Sequence, residues 1–446
     1  MHLKSCRSRQ LASFHLHVFT MRIVIVGAGL GGLTAALCFA RNGHKVQVLE
    51  QRADPTPVGG GINIRPGASR LLRSWGLTEG LEQICDITTA NALRSLKTGQ
   101  VATRTIATDI SDSPDLGTNR DILISLLHKS ARDAGAVLLF STTVSQVTER
   151  SQEAQVLLGD GTVLQADLVL AADGVKSTIR KHALQGCSGP IEPVVSDYTL
   201  YGICLDREQM IGDPVLGPLM DNSYINVYMG ENGLVNVTSR YNHKLGKFQA
   251  LFCIKGDTDQ RGLWDEEGDI RYVRKTFRGS CNELVKVLEI AQTCDRWKLA
   301  ELPDLPRWAS EKGRILLLGD SAHAMYPSAA QGYSLIVEDI GVLDNLASKT
   351  RNPEANLKEI SEDWQNLRKT RCERIKAWSK DNIEIFSRPP PQMKASDSGS
   401  WQYRSLKDTK PDMNARLGSA SFLKWAQGID AIEETEKYFR AKQSRL

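Results

Sequence analysis

The chain has 446 residues, 41% of them hydrophobic and 24% charged, with a formal net charge of +4. This is globular composition, long enough for two or three domains around a large buried core. The mild charge, with no Lys/Arg block interleaved with aromatics, argues against a nucleic-acid partner.

Residues 1–20 carry Lys4, Arg7, Arg9 and three serines but no acid. Such a stretch is compatible with a mitochondrial-type presequence. A disordered tail or an upstream start is favoured, because strand-like sequence begins directly after Met21. His15 and His17 lack companion ligands and belong to that tail. Nine cysteines are scattered along the chain with no CxxC pair. They read as reduced thiols of a cytoplasmic protein, with no metal centre or disulfide framework expected. No apolar run approaches the roughly 20 residues that span a bilayer, so no transmembrane segment is expected.

Arg22–Val26 (RIVIV) is β-branched and apolar, the pattern of a strand buried on both faces of a parallel sheet. It runs into GAGLGG and a helical stretch over residues 33–41, ended by Asn42-Gly43. Residues 45–50 (KVQVLE) form a second strand, completing one right-handed βαβ unit. Gly59, Gly60 and Gly61 break the chain, and residues 66–75 read as a helix closed by Gly76. Residues 121–134 read as an amphipathic helix, followed by short strands between 137 and 165. A buried strand at 167–172 then opens into Asp173-Gly174 and a helix around 176–184. From 192 to 304, alternating segments separated by Gly, Asn and Asp suggest a mostly antiparallel sheet with some helix. Parallel-strand character returns at 314–318 (RILLL), which leads into Gly319-Asp320 and a helix over 333–348. A helix over 354–388 is stopped by Pro389-Pro390-Pro391. Residues 392–412 are loop-like, and a final helix covers 420–442.

Three constellations carry chemistry. In the first, Gly27 permits a tight strand-to-helix turn, Gly29 lets backbone approach a pyrophosphate, and Gly32 lets helix and strand pack closely. The helix N-terminus supplies unpaired N–H groups to phosphate. Glu50, ending the second strand, accepts hydrogen bonds from ribose hydroxyls and repels a 2′-phosphate, which points to FAD or NAD rather than NADP. The other two are Asp173-Gly174 and Gly319-Asp320, each just beyond the carboxyl end of a buried strand.

GAGLGG with Glu50, ADGVKSTIR at 172–180 and GDSAHAMYPSAAQGYSLIVED at 319–339 resemble the three motifs of the group A FAD-dependent aromatic hydroxylases. The salicylate hydroxylase-like branch, common in fungal secondary metabolism, is the nearest in pattern. VGGGINI at 58–64 is similar to the family's isoalloxazine-side loop, and TNRDILISLL at 118–127 to its HR-containing helix start.

The resemblance implies an α/β fold: a doubly wound Rossmann-type FAD domain, an interposed mixed β-sheet substrate domain and a helical C-terminus. The FAD domain would take residues 21–190 and 305–388, the substrate domain 191–304, and a C-terminal loop and helix 389–446. It also implies a single-component monooxygenase in which NADH or NADPH reduces FAD and one atom of O2 passes to a small aromatic or electron-rich substrate. Arg120 is implied to contact FAD, and Asp320 its ribityl chain or pyrophosphate. Gln331 and Gly332 would offer backbone near the flavin pyrimidine, with Gly60 and Gly61 on the isoalloxazine side. Asp173 and Arg180 would belong to the segment that serves both FAD and transient NAD(P)H. A flavin epoxidase or oxidase on the same scaffold is the alternative, and a non-catalytic dinucleotide-fold binding protein belongs to a different class.

Three departures stand out. The family's GQGxN reads Ala330-Gln331-Gly332-Tyr333-Ser334, its HR pair reads Asn119-Arg120, and Tyr201 takes the place of an arginine common in the substrate sheet. The last implies a pocket short of one cation, hence a neutral, fairly large aromatic substrate. His323 reads as a helix-entry histidine bonded to backbone rather than a catalytic group. Tyr224 and Tyr228 lie on one side of a strand. They orient or deprotonate a phenol if that side faces the pocket, and otherwise pack as core.

Overall fold

The computed structural model describes residues 20–54, 60–230, 234–257, 266–390 and 403–444. The tail to residue 19, Val58, Gly59, Pro391 and the stretch 392–402 lie outside the described residues.

A five-stranded parallel sheet is ordered Ile315–Leu317, Leu168–Ala171, Arg22–Val26, Lys45–Leu49, Val137–Leu139. Its central strand is apolar and buried from Ile23 to Val26, because helices cover both faces. Leu30–Arg41 buries almost every residue, being rich in alanine and leucine where neighbouring elements approach closely. Arg120–Asp133 and Gly332–Lys349 pack against it. The α/β class expected from the sequence is the fold observed.

A second, mixed sheet has nine strands among the described residues. Its order is Glu266–Glu267, Asp295–Glu301, Val194–Asp206, Lys247–Lys255, Leu234–Asn242, Ile225–Met229, Ala90–Ser95, Val101–Ile106, Tyr403–Arg404. The strands Ala90–Ser95 (ANALRS) and Val101–Ile106 (VATRTI) are too weakly patterned to be read from sequence; they pair antiparallel with each other, and the first joins the sheet parallel to Ile225–Met229. A small sheet of Gly61–Ile64, Leu116–Asn119 and Asp86–Ile87 straps the two layers together.

Other differences are local. The helix expected over 176–184 is a single turn, Arg180–Ala183. The final helix is two, Ala420–Gly428 and Ala431–Gln443, because Asp430 breaks off to cap the second through the amides of Ile432 and Glu433. No helix among the described residues is long and apolar enough to cross a membrane.

Candidate active site

The first loop is built by steric exclusion. Gly27 has φ +102°, and a Cβ there would lie 2.5 Å from the Ala172 carbonyl oxygen. At Gly32 a Cβ would lie 1.9 Å from the Gly27 carbonyl oxygen. Gly29 is the opposite case, with nothing within 4 Å of its Cβ position. Open space therefore meets the uncapped N-terminus of Leu30–Arg41, where amides point outward. Glu50 is locked beside this opening, its carboxylate accepting from the Ala28 amide at 2.8 Å and the Arg52 amide at 2.9 Å. An open backbone cradle flanked by a fixed carboxylate suits the pyrophosphate and ribose of a dinucleotide.

The later loops are fastened to one another. Asp173 accepts from the amides of Thr178 at 2.9 Å and Ile179 at 3.3 Å through one oxygen, while the other is buried without a partner among the described residues. Burial holds its pKa above the ordinary carboxylate range. Arg180 is 1% exposed and donates to the carbonyls of Ser321 at 2.9 Å and Val175 at 2.8 Å. It thus ties the Asp173 loop to the Asp320 loop. Asp320 is exposed at the start of Asp320–His323. Arg120 is exposed at the start of its helix, and its amide donates to the Gly60 carbonyl at 3.2 Å. The Arg65 amide donates to Ser334 Oγ at 2.9 Å and its Nε to the Ala330 carbonyl at 3.1 Å. Ser334, in place of the family's asparagine, thereby joins the Gly60–Gly61 segment to the segment at 330–332.

Gln331 is buried, and its side-chain amide donates to the Ala426 carbonyl at 3.0 Å, so this side chain anchors the loop to the C-terminal helix. Gly332 has nothing within 4 Å of its Cβ position and opens an 18-residue helix, a second uncapped N-terminus facing space. Ala330, where the family has glycine, sits in the left-handed region at φ 50°, ψ 42°. An L-residue there carries about 1 kcal/mol of strain. Ala330→Gly is therefore expected to raise the thermal midpoint without reducing flavin content, measured by calorimetry and by the visible spectrum of the same sample.

His323 is not bonded to backbone through its side chain, contrary to the sequence expectation. Its Nε2 meets Asp339 at 2.7 Å, and Arg368 donates to the other Asp339 oxygen at 2.7 Å, all of it buried. Burial pulls the His323 pKa down, but Cys372 and Asp339 outweigh it and hold the ring well above its ordinary value. Burial likewise opposes ionisation of Asp339, and Arg368 and His323 reverse it, so its pKa is lowered. His323, Asp339 and Cys372 place ligand-type atoms within 4.8 Å of one another. With Arg368 already on the carboxylate, this is an ion-pair network joining the Asp320 loop to the following helices. Arg368 also holds Glu338, which Arg371 meets at 2.7 Å, and Arg371 donates to the Ala426 carbonyl that anchors Gln331.

Strand alternation decides which side chains of the large sheet face these loops. Leu251 Cδ2 lies 3.1 Å from the Cβ position of Gly60, and Gln249 Oε1 lies 2.7 Å from that of Gly61. Arg240 donates to Asn63 and Thr88, each at 2.7 Å. The cross-strand row Gly202, Leu251, Thr238, Val227 therefore faces the loops. The adjacent row Tyr201, Phe252, Val237, Tyr228 faces away, into a core under helices Ile270–Thr276 and Asn282–Ile290.

This corrects the reading of Tyr224 and Tyr228 as catalytic. Tyr228 is 0% exposed with Arg94 over its ring at 5.5 Å, and burial pushes its phenol pKa up, the wrong direction for a base. Tyr224, on the same side, has Arg104 over its ring at 5.2 Å. Tyr201 is buried in the same core and donates to Asp257 at 3.1 Å, so the residue in place of the family's arginine does not shape the pocket. Tyr228→Phe is expected to leave both the turnover rate and the ratio of product to NAD(P)H consumed unchanged, as assayed by coupled turnover.

Residues 20–208 match the FAD binding domain family. FAD-dependent monooxygenase OpS4 of Beauveria bassiana is 27% identical over 92% of this chain and 96% of its own length. Salicylate hydroxylase of Pseudomonas putida is 27% identical over 84% of this chain and 88% of its own. Among solved structures, CtdE in complex with FAD and a substrate superposes with a TM-score of 0.78 at 19% identity, covering 94% of this chain and 98% of that one. Residues 20–208 thus match an FAD binding domain, and the similarity to FAD-dependent monooxygenases runs along most of the chain. The chain is an FAD-dependent monooxygenase of the hydroxylase type, similar to salicylate hydroxylase and to the fungal FAD-dependent monooxygenases.

Proposed function

We propose that the protein inserts one atom of O2 into an aromatic or electron-rich small molecule, with NADH or NADPH as reductant, in fungal-type secondary metabolism. The observation that carries this reading is the pair of uncapped helix N-termini at Gly29 and Gly332, each opening on unfilled space, together with the Gly60–Gly61 segment laid on Leu251 and Gln249 of the large sheet. FAD fits this frame, and when bound it supplies the redox and oxygen-transfer chemistry.

The chain's own groups bind, orient and exclude water. Gly27, Gly29 and Gly32 shape the turn, and the amides after Gly29 receive pyrophosphate while Glu50 receives the ribose hydroxyls. Asp320, Arg120 and Asp173 would hold the middle of the cofactor. The amides at Gly332 and the end of Gln331 would stabilise negative charge on the flavin pyrimidine, as a helix N-terminus does. The fully buried Arg371–Glu338–Arg368–Asp339–His323 network holds these loops at fixed separation. Apolar residues of the sheet face complete a dry wall on the substrate side.

The test is a panel of aromatics assayed for stimulated NADH and NADPH oxidation by the yellow holoprotein, with product mass read in parallel. Stimulation together with a product one oxygen heavier is expected. Peroxide formation equal to NAD(P)H consumed with every aromatic would show an oxidase instead.

A further inference from the structure

The sheet face between the two flavin-side segments has a composition of its own. At one end Leu251 touches the Gly60 position. At the other, Tyr326, from the segment that leads to Gln331, packs edge-on against Tyr198 with centroids 5.9 Å apart. Between them lie Gly202, Leu200, Cys253 and Trp297, which share this face by register: Gly202 pairs with Leu251, and Leu200 with Cys253 and Trp297. The ring of Trp297 leans from its own row over the next. A Cβ on Gly202 would lie 3.2 Å from Trp297 Cζ3 and 3.4 Å from its Cη2. Trp297 packs at the edge of a cluster with Leu200, Cys253 and Tyr326, yet it remains partly exposed.

The charges on this face stand around the floor: Asp295 pairs with Gly202, and Lys255 lies over the Tyr198 ring at 5.5 Å. Arg240, on the same face, lies over Gly117, whose Cβ position is 1.3 Å from Arg240 Nη1, and both of its terminal nitrogens donate to Asn63 and Thr88. Asn63 and Gly117 pair two residues along the strap from Gly61 and Asn119, so the cation is set back from the flavin-side end.

We propose that Trp297, made possible by the missing side chain at Gly202, is the aromatic platform on which the substrate ring stacks, and that the substrate is flat, uncharged and bicyclic or larger. This rests on the reading that this face lines the substrate space. A partly exposed indole beside leucine and cysteine offers a broad apolar surface, Asp295 opposite Gly202 would repel a carboxylate, and the Lys255 ammonium lies over Tyr198. A single benzoate ring would cover little of that surface and bring an unpaired charge to it.

The experiment titrates the FAD-loaded enzyme with 2-naphthol and with salicylate, reading the flavin difference spectrum, in parent, Trp297→Ala, Trp297→Phe and Gly202→Ala. The parent is expected to bind 2-naphthol more tightly than salicylate. Trp297→Ala should weaken 2-naphthol by about tenfold, the scale of one lost stacked pair with its buried area, and leave flavin content unchanged. Trp297→Phe should restore part of that loss. Gly202→Ala should weaken binding with the indole still present, because its Cβ forces the ring to shift. Equal 2-naphthol affinity in parent and Trp297→Ala overturns the platform, as does tighter salicylate than 2-naphthol binding in the parent. Binding is read without turnover, so Trp297-dependent binding with no oxygenated product from any aromatic would overturn the proposed function and keep the platform.

Discussion

Gly32→Ala is expected to yield protein that retains no FAD and is destabilised by about 3 kcal/mol or more, at the upper end of overpacking costs. The added methyl would stand 1.9 Å from the Gly27 carbonyl oxygen, a backbone atom that cannot swing aside. Relief requires the helix Leu30–Arg41 to slide away from Arg22–Val26, which moves the amides that face the opening above Gly29. Gly29→Ala is the control, because nothing lies within 4 Å of its Cβ position in the unliganded fold. It should fold with nearly parental stability yet bind FAD poorly, since the methyl intrudes where the pyrophosphate approaches. Denaturant melts with flavin absorbance separate the two effects. Parental melting and flavin content in Gly32→Ala would refute the steric account of the loop.

Asp339→Ala is expected to cost about 3–5 kcal/mol, because it strands the buried His323 cation and takes one carboxylate from Arg368, leaving it the bond to Glu338. Arg368 and His323 both lose their shared carboxylate, 2.7 Å from each. Flavin retention should fall with stability, since His323 belongs to the turn that begins at Asp320. The pH dependence follows from the directions of the shifts. His323 is raised in the folded state, so its contribution is fully present below about pH 6.5, its ordinary value, and is lost as pH rises through the elevated folded value. Asp339 is lowered, so its contribution is present above about pH 3.9 and is lost as pH falls through the depressed folded value. The stability advantage of the parent over His323→Gln should therefore be widest in mildly acidic buffer and narrow toward alkaline pH. A difference that is flat across that range would show that the ring is neutral in the folded protein.

The parallel sheet was legible because its strands carry unbroken β-branched or leucine runs, and the Gly27–Gly32 turn was legible because only glycine fits there. The same cannot be said of Ala90–Ser95 and Val101–Ile106, a hairpin with several polar, partly exposed residues whose attachment to the sheet, through Ala90–Ser95, is to a strand more than a hundred residues along the chain. Period-two spacing correctly put Tyr224 and Tyr228 on one side, but no local pattern says which side of a two-faced sheet meets the cofactor. That depends on the strap that lays Gly60 on Leu251, a contact between distant segments. Trp297 and Gly202 were missed for the same reason, since neither is unusual until register brings them together. The His323–Asp339 pair was half visible: both residues stand in the motif at 319–339, yet only the helix Leu357–Phe386 supplies the arginine that completes the charge balance.

The central claim is that this chain places one atom of O2 on an aromatic held against the Leu251 and Trp297 face. The most direct measurement is the product mass from turnover of the purified holoprotein under isotopically labelled O2, with NAD(P)H and an uncharged bicyclic phenol. One labelled oxygen per product molecule, formed in step with NAD(P)H consumed, is the expected result. Product oxygen derived from water, or NAD(P)H oxidation that ends wholly in labelled peroxide, would contradict it.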